Sequence, residues 1–94
     1  MEVEHDEAKQ KFVINLGDGS EALLAYRKQG DILELYHTFV PEPHRGEGVA
    51  EKIVVEAFRY AKQKKLKVIP SCPYISGTFL KRHEEFRGLV AQDR

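Results

Sequence analysis

Apolar residues along this chain first alternate with a period of two and later recur with a period of three to four. Three segments rich in β-forming residues, 11–16, 21–27 and 32–40, are separated by the turn-residue clusters 17–20 and 28–31. Apolar segments separated by such clusters are typical of strands joined as hairpins. The pattern therefore predicts three consecutive antiparallel strands.

The third of these strands is the longest, and its alternation divides it into two faces. The more apolar face consists of Leu33, Leu35, His37 and Phe39. The other face consists of Ile32, Glu34, Tyr36, Thr38 and Val40. We expect the first face to lie in the core.

The pattern changes to that of an amphipathic helix after Pro41, which ends the third strand because proline supplies no ladder N–H. The apolar residues that recur at helical spacing are Val49, Ala50, Ile53, Val54, Ala57, Phe58 and Ala61. A short strand, 67–72, follows this helix, and strand–helix–strand order predicts a right-handed βαβ unit with its two strands parallel. A short helix is expected within 75–83, whereas 84–94 is polar enough to fray.

These elements predict a single α/β (α+β) domain over residues 1–94. Its sheet would be four-stranded and mostly antiparallel, with one crossover helix and a short C-terminal helix. A composition of 41% hydrophobic and 32% charged residues suits one domain with one core.

Charge and composition narrow the classes of function. Lysine plus arginine (15) equal aspartate plus glutamate (15), which argues against nucleic acid or an anionic membrane as the main partner. No apolar run approaches the roughly 20 residues that span a bilayer, and the first six residues are acidic, so we expect a cytoplasmic protein. Cys72 is the one cysteine, and the four histidines lack metal-ligand spacing, so neither a disulfide nor a metal is expected.

The turn Arg45-Gly46-Glu47-Gly48-Val49-Ala50 is the clearest candidate for binding chemistry. It connects a strand to a helix, where the first helical N–H groups lack intrahelical partners and glycine allows an anion to approach the backbone. A P-loop is excluded, because Glu51-Lys52-Ile53 follows where Gly-Lys-Ser/Thr is needed. A dinucleotide fingerprint is disfavoured, because Glu51 occupies the position of its third glycine.

The spacing Arg-x-x-Gly-x-Ala, formed by Arg45, Gly48 and Ala50, resembles the acetyl-CoA loop of the GNAT superfamily of N-acetyltransferases. The neighbouring segments His37-Thr38-Phe39-Val40-Pro41 and Ser71-Cys72-Pro73-Tyr74 extend the likeness to the small YjdJ-type GNAT-like proteins. The resemblance covers roughly residues 8–88. It implies a compact GNAT core that binds acetyl-CoA between the third and fourth strands.

The resemblance also implies roles for individual residues. The cofactor-binding residues would be Val40, Arg45, Gly46, Glu47, Gly48, Val49 and Ala50. The thioester would lie near Cys72, and the catalytic candidates are Cys72, Tyr74 and His37. Each has an alternative: Cys72 is a nucleophile, an acid or a packing residue, Tyr74 packs or protonates the leaving thiolate, and His37 is a base or a hydrogen-bonded core histidine.

The first functional hypothesis is transfer of an acetyl group from acetyl-CoA to an amine of a small molecule or peptide. The second is a non-catalytic acyl-CoA-binding or partner-binding module, and the third is an interaction domain with no cofactor. We expect a monomer or a weak homodimer, because the first strand exposes a sheet edge that could pair with another chain.

Overall fold

The computed structural model describes residues 2–91, which form one five-stranded sheet with a long helix packed on one face. The strands are β1 (Val3–Asp6), β2 (Lys11–Asn15), β3 (Glu21–Gln29), β4 (Ile32–Phe39) and β5 (Lys67–Pro70). They lie in the order β1-β2-β3-β4-β5, with antiparallel neighbours except for the parallel pair β4 and β5. Helix α1 (Val49–Lys64) connects that parallel pair. The predicted hairpins, crossover helix and parallel pair are confirmed.

Strand β1 is an addition to the four predicted strands. Its four residues include three that are polar or charged, so they show no apolar alternation. The His5 ring nevertheless stacks on Phe12 of β2 with ring centroids 4.0 Å apart, and its Nε2 lies 2.6 Å from the hydroxyl of Tyr26 on β3. Neighbouring strands therefore supply the aromatic surface that holds β1, and its own sequence does not reveal this.

The predicted core face of β4 is correct only for its first half. Ala25 pairs with His37 and Tyr26 pairs with Leu35, so Tyr36 is an extra residue on β4 at a β-bulge. The bulge reverses the alternation, because one unpaired residue moves each later side chain to the other face. Leu33 and Leu35 are fully buried, whereas His37 and Phe39 are exposed on the face opposite α1.

The predicted apolar stripe of α1 is confirmed. Ile53, Val54, Ala57 and Phe58 are each 0% exposed, and they pack against the inner face of the sheet. The helix ends at Lys65, whose left-handed conformation lets its N–H bond back to carbonyls of the last turn. No helix within residues 2–91 is long and apolar enough to cross a membrane.

The C-terminal segment is more ordered than its polarity suggests. A π-helical segment (Tyr74–Phe79) continues into the short helix α2 (Leu80–Arg82), and a 3₁₀ helix covers Glu84–Leu89. Val90 then forms a parallel bridge with Val68 at the outer edge of β5. The expectation that this segment frays is thus wrong as far as residue 91, and 92–94 lie outside the described residues.

Aromatic packing explains this order. The Phe86 ring stacks on Phe58 of α1 with centroids 5.1 Å apart, and Phe58 also stacks on Phe79 at 5.5 Å. Phe86 in the final segment therefore joins the core through Phe58, a partner distant in sequence.

Candidate functional site

The candidate site is a cleft that opens where β4 and β5 separate. Ladder pairing between these strands ends at Leu35 and Pro70, and the Cys72 N–H donates to the Leu35 carbonyl at 3.1 Å. Beyond this point β4 remains paired with β3 alone. The bulge at Tyr36 lies at the same place, so the strand bends and changes face where its second partner departs.

The cleft has a volume of about 570 Å³, which falls within the range of small-molecule sites. Its walls come from the end of β4, the following loop, the first turn of α1 and the segment after β5. The lining residues are Thr38, Phe39, Val40, His44, Arg45, Gly46, Gly48, Val49, Ala50, Glu51, Tyr74, Thr78 and Arg82.

The N-terminus of α1 forms the mouth of this cleft. Gly48 is the N-cap residue, with φ of 79°, and no side chain caps the first helical N–H groups. Gly46 also has a positive φ, of 88°, and a Cβ built on either glycine would meet no atom within 4 Å. Uncapped N–H groups beside open space and a positive helix end favour an anion.

Arg45 fixes the loop to the end of β4. Its Nε donates to the carbonyl oxygen of Val40 at 2.9 Å, while the residue as a whole stays exposed. The loop is also attached at His44, whose Nε2 lies 2.9 Å from Asp18 Oδ2 and whose Nδ1 lies 3.1 Å from Glu47 Oε1. Two attachments therefore position the backbone in front of the helix.

Tyr74 brings a phenolic hydroxyl to the lining of the cleft. Its side chain is half-buried, and burial, followed by the negative charge of Glu51, raises the pKa of its hydroxyl above the ordinary value. The Tyr74 hydroxyl is protonated at neutral pH, as in an ordinary tyrosine, and the raised pKa makes it a weaker acid. Glu51 itself is paired with His83 and, at 3.8 Å, with Arg82.

Thr38 provides an unusual polar atom in the β4 wall. Its Oγ1 is buried and has no hydrogen-bond partner within the described residues. A buried hydroxyl without a partner costs free energy, and such groups in native proteins call for an explanation. A bound polar ligand in the cleft would supply the partner.

The cleft brings together most of the predicted site residues. Val40, Arg45, Gly46, Gly48, Val49, Ala50 and Tyr74 all line it, whereas Glu47, Cys72 and His37 do not. Cys72 is 8% exposed and belongs to the hydrophobic core, and His37 is exposed on the opposite face of the sheet. Catalytic roles for Cys72 and His37 stay predictions.

Several lining residues were missed at the level of sequence. Regular alternation places Thr38 on the wrong face because the bulge interrupts it. His44 begins the predicted pyrophosphate-binding turn, but no local pattern indicates its contact with Asp18. Arg82 and Thr78 lie more than 25 residues from the loop in sequence, and no local pattern indicates that they meet it. In the described part of the chain, no group of three or more His, Cys, Asp or Glu side chains could hold a metal ion.

Relatives of known sequence share most of this chain. Protein NATD1 of Gallus gallus is 35% identical over 77 residues, which are 80% of this chain and 70% of that protein. Protein NATD1 of Homo sapiens is also 35% identical over 77 residues, covering 80% of this chain and 68% of the relative.

A solved structure and a family model agree with this likeness. The NMR structure of a GCN5-like protein from Staphylococcus aureus superposes with a TM-score of 0.73 at 22% identity, over 99% of this chain and 90% of the other. That similarity shows the fold. The family model described as GCN5-related N-acetyl-transferase matches residues 11–89, which include every strand except β1 and the whole cleft. The chain therefore belongs to the GCN5-related N-acetyltransferase family.

Proposed function

We propose that this protein binds acetyl-CoA in the cleft between β4 and β5 and transfers the acetyl group to an amine of a small molecule or peptide. The observation that carries the proposal is the uncapped N-terminus of α1, which opens beside Gly46 and Gly48 into the cleft that Tyr74 also lines. Acyl transfer from CoA needs an anion site for the pyrophosphate and a proton donor for the leaving sulfur, and this cleft offers a candidate for each. Membership of the N-acetyltransferase family supports the same reaction class.

The residues present fit the cofactor. Uncapped N–H groups and open space at the two glycines suit a pyrophosphate, and Arg45 adds a charged donor beside them. The buried Thr38 hydroxyl, which lacks a partner, suits a polar chain lying along β4. Beyond Leu35 the β4 backbone also has no ladder partner from β5.

When bound, acetyl-CoA would supply a thioester as the acyl donor. The backbone of Val40 and its neighbours would orient this donor through hydrogen bonds, because the edge of β4 is open there. The amine nitrogen would bond to the carbonyl carbon of the thioester as the C–S bond breaks, and the Tyr74 hydroxyl would give its proton to the leaving sulfur. The proton lost by the amine would pass to solvent, from which the tyrosine would regain its own. Cys72 and His37 lie outside the cleft lining, so the proposal assigns protonation of the sulfur to Tyr74.

The experiment combines calorimetry with an acetyl-transfer assay. Wild-type protein is titrated with CoA, and CoA release from acetyl-CoA is then measured with polyamines, amino acids and peptides as acceptors. Tyr74→Phe should bind CoA with unchanged affinity and lose transfer activity by about 100-fold or more, because only the proton is removed. Full activity in this variant would contradict the assigned acid, and absence of CoA binding by the wild type would overturn the whole proposal.

A non-catalytic acyl-CoA-binding module is the second candidate, and one observation favours it. The predicted base His37 is exposed on the face of the sheet opposite α1, so the cleft does not contain it. CoA binding without release in the presence of any acceptor would favour this second function.

A further inference from the structure

His44 joins two segments that are distant in sequence at the mouth of the cleft. Its Nε2 contacts Asp18 Oδ2 at 2.9 Å, in the turn between β2 and β3, and its Nδ1 contacts Glu47 Oε1 at 3.1 Å, in the loop before α1. Asp18 and His44 are 26 residues apart, and the His44 side chain is only 18% exposed. The two contacts attach residues 45–48, the glycine loop, to the β2–β3 turn through one imidazole ring.

The chemistry of these contacts requires a proton. A carboxylate only accepts hydrogen bonds, so both ring nitrogens must donate, and a neutral imidazole has a single N–H. Asp18 supplies a carboxylate because the Ser20 hydroxyl, and next His44 itself, hold its pKa well below the usual range. Asp18 and Glu47 together raise the pKa of His44, with Asp18 the larger cause. Both contacts thus exist together only while His44 is an imidazolium.

The proton also decides the charge next to the anion site. With His44 protonated, Asp18, His44 and Glu47 carry a net charge of −1, and with His44 neutral they carry −2. Within the described residues, the charged groups in contact with this ring are those two carboxylates. The next charged side chain along the loop is Arg45, whose Nε donates to the Val40 carbonyl oxygen. Two uncompensated carboxylates beside a helix N-terminus would repel a pyrophosphate.

We propose that His44 is a positioning residue that clips the glycine loop to the β2–β3 turn while it is protonated, so that affinity for CoA falls as the pH rises. The inference rests on the proposed function, since it concerns the same cleft. By linkage, CoA binding takes up a proton at pH values where free His44 is partly neutral.

The test measures CoA affinity of the whole protein by calorimetry from about pH 5.5 to 8.5, in buffers of different ionisation heat, so that proton uptake is counted. Wild-type affinity should fall by about tenfold across this range. His44→Gln should bind weakly throughout, keep only the pH dependence of CoA's own phosphates and lose the additional proton uptake. Asp18→Asn should move the midpoint to lower pH, because the larger cause of the raised pKa is removed.

A matched control is Asp6→Asn, which neutralises an aspartate at the end of β1 that accepts a hydrogen bond from the Lys9 N–H at 3.1 Å and does not line the cleft. It should bind CoA as the wild type does at every pH. If His44→Gln retains the wild-type pH dependence and proton uptake, the proposed positioning role of His44 is wrong, while the proposed function survives. Absence of CoA binding at every pH would overturn both.

A measurement on the free wild-type protein tests the positioning role of His44 even if His44→Gln does not fold. In NMR spectra of the free wild-type protein, the amide signals of Gly46 and Gly48 should shift with the same midpoint as the His44 ring. Glycine signals that do not follow this titration would contradict a loop held by His44.

Discussion

At the scale of single residues, the site depends on backbone conformation as much as on side chains. Gly48 has a φ of 79° and stands at the N-cap of α1, where an aspartate or serine side chain would otherwise occupy the first N–H groups. A glycine there satisfies none of these donors itself and leaves them accessible. The helix end is therefore open to the pyrophosphate of the proposed cofactor.

Substitution of Gly48 should separate strain from binding. Gly48→Ala should destabilise by about 1–2 kcal/mol, because a Cβ is unfavourable at positive φ. It should also weaken CoA binding by about tenfold or more, since the N–H groups in contact with the pyrophosphate shift. Gly30→Ala in the β3–β4 turn, also at positive φ, is the control. It should lower thermal stability and leave CoA affinity in calorimetry unchanged.

The role of Cys72 is a second question at this scale. The residue is 8% exposed and packs in the hydrophobic core, so we expect no reaction with acetyl-CoA. After incubation with acetyl-CoA and no acceptor, mass spectrometry should find no acetyl group on the peptide that contains Cys72. An adduct that disappears in Cys72→Ala would instead identify this thiol as a nucleophile.

At the scale of elements, α1 combines an uncapped first turn with a tightly packed middle. Its first turn is uncapped, as the proposed binding of CoA requires, whereas its middle is buried against the sheet and holds the helix in place. Phe58 lies in the packed part and forms a cluster of three stacked rings with Phe79 of the π-helical segment and Phe86 of the 3₁₀ helix. The same ring therefore connects α1 to both segments that follow β5.

Truncation of this ring should be costly. Phe58→Ala should destabilise by about 3–5 kcal/mol, because a fully buried aromatic ring is lost and a cavity remains. The adjacent Arg59→Ala, on the exposed side of the helix, should change stability by less than about 0.5 kcal/mol. Denaturant unfolding of both variants measures this difference, and a Phe58→Ala midpoint equal to that of the parent would mean that the helix phase is wrong.

At the scale of the whole molecule, two histidines each join a pair of carboxylates near the start of α1. His44 joins Asp18 to Glu47, and His83 joins Glu51 of α1 to Glu85 of the C-terminal segment. The Glu51 carboxylate is the larger cause of the raised pKa of His83. Because folding raises the pKa of His83, protonation of this residue stabilises the folded protein. The stabilisation is complete below the ordinary pKa of 6.5 and is lost as the pH rises through the pKa of the folded state.

Thermal stability should therefore respond to His83. The melting temperature of His83→Gln should lie further below that of the wild type at acidic pH than at alkaline pH, because the ionic contribution of His83 is lost as it deprotonates. A constant difference is also expected, since the ring stacks on Phe79 at 4.4 Å in both charge states. Melting curves recorded from acidic to alkaline pH measure this difference for wild type, His83→Gln and the exposed-site control His37→Gln. A difference that does not change with pH would contradict the ionic role.

Several features of this protein could be predicted from the sequence because they depend on residues close together in the chain. The buried stripe of α1 follows from helical spacing, and the uncapped turn at the start of α1 follows from glycines placed directly before that helix. The parallel pair of strands follows from element order, since a helix must cross the sheet between them. In these cases, local periodicity and backbone conformation carry the information.

Other features were decided only by tertiary structure. The bulge at Tyr36 depends on the register between β3 and β4, and it moves Thr38 into the cleft and His37 out of the core. Surfaces supplied by distant segments determine three further features: the His44–Asp18 contact, the burial of Cys72 and the formation of β1. The physical reason is that a periodic pattern reports which side of an element is apolar, whereas strand register and side-chain partners are set by the packing of all elements together.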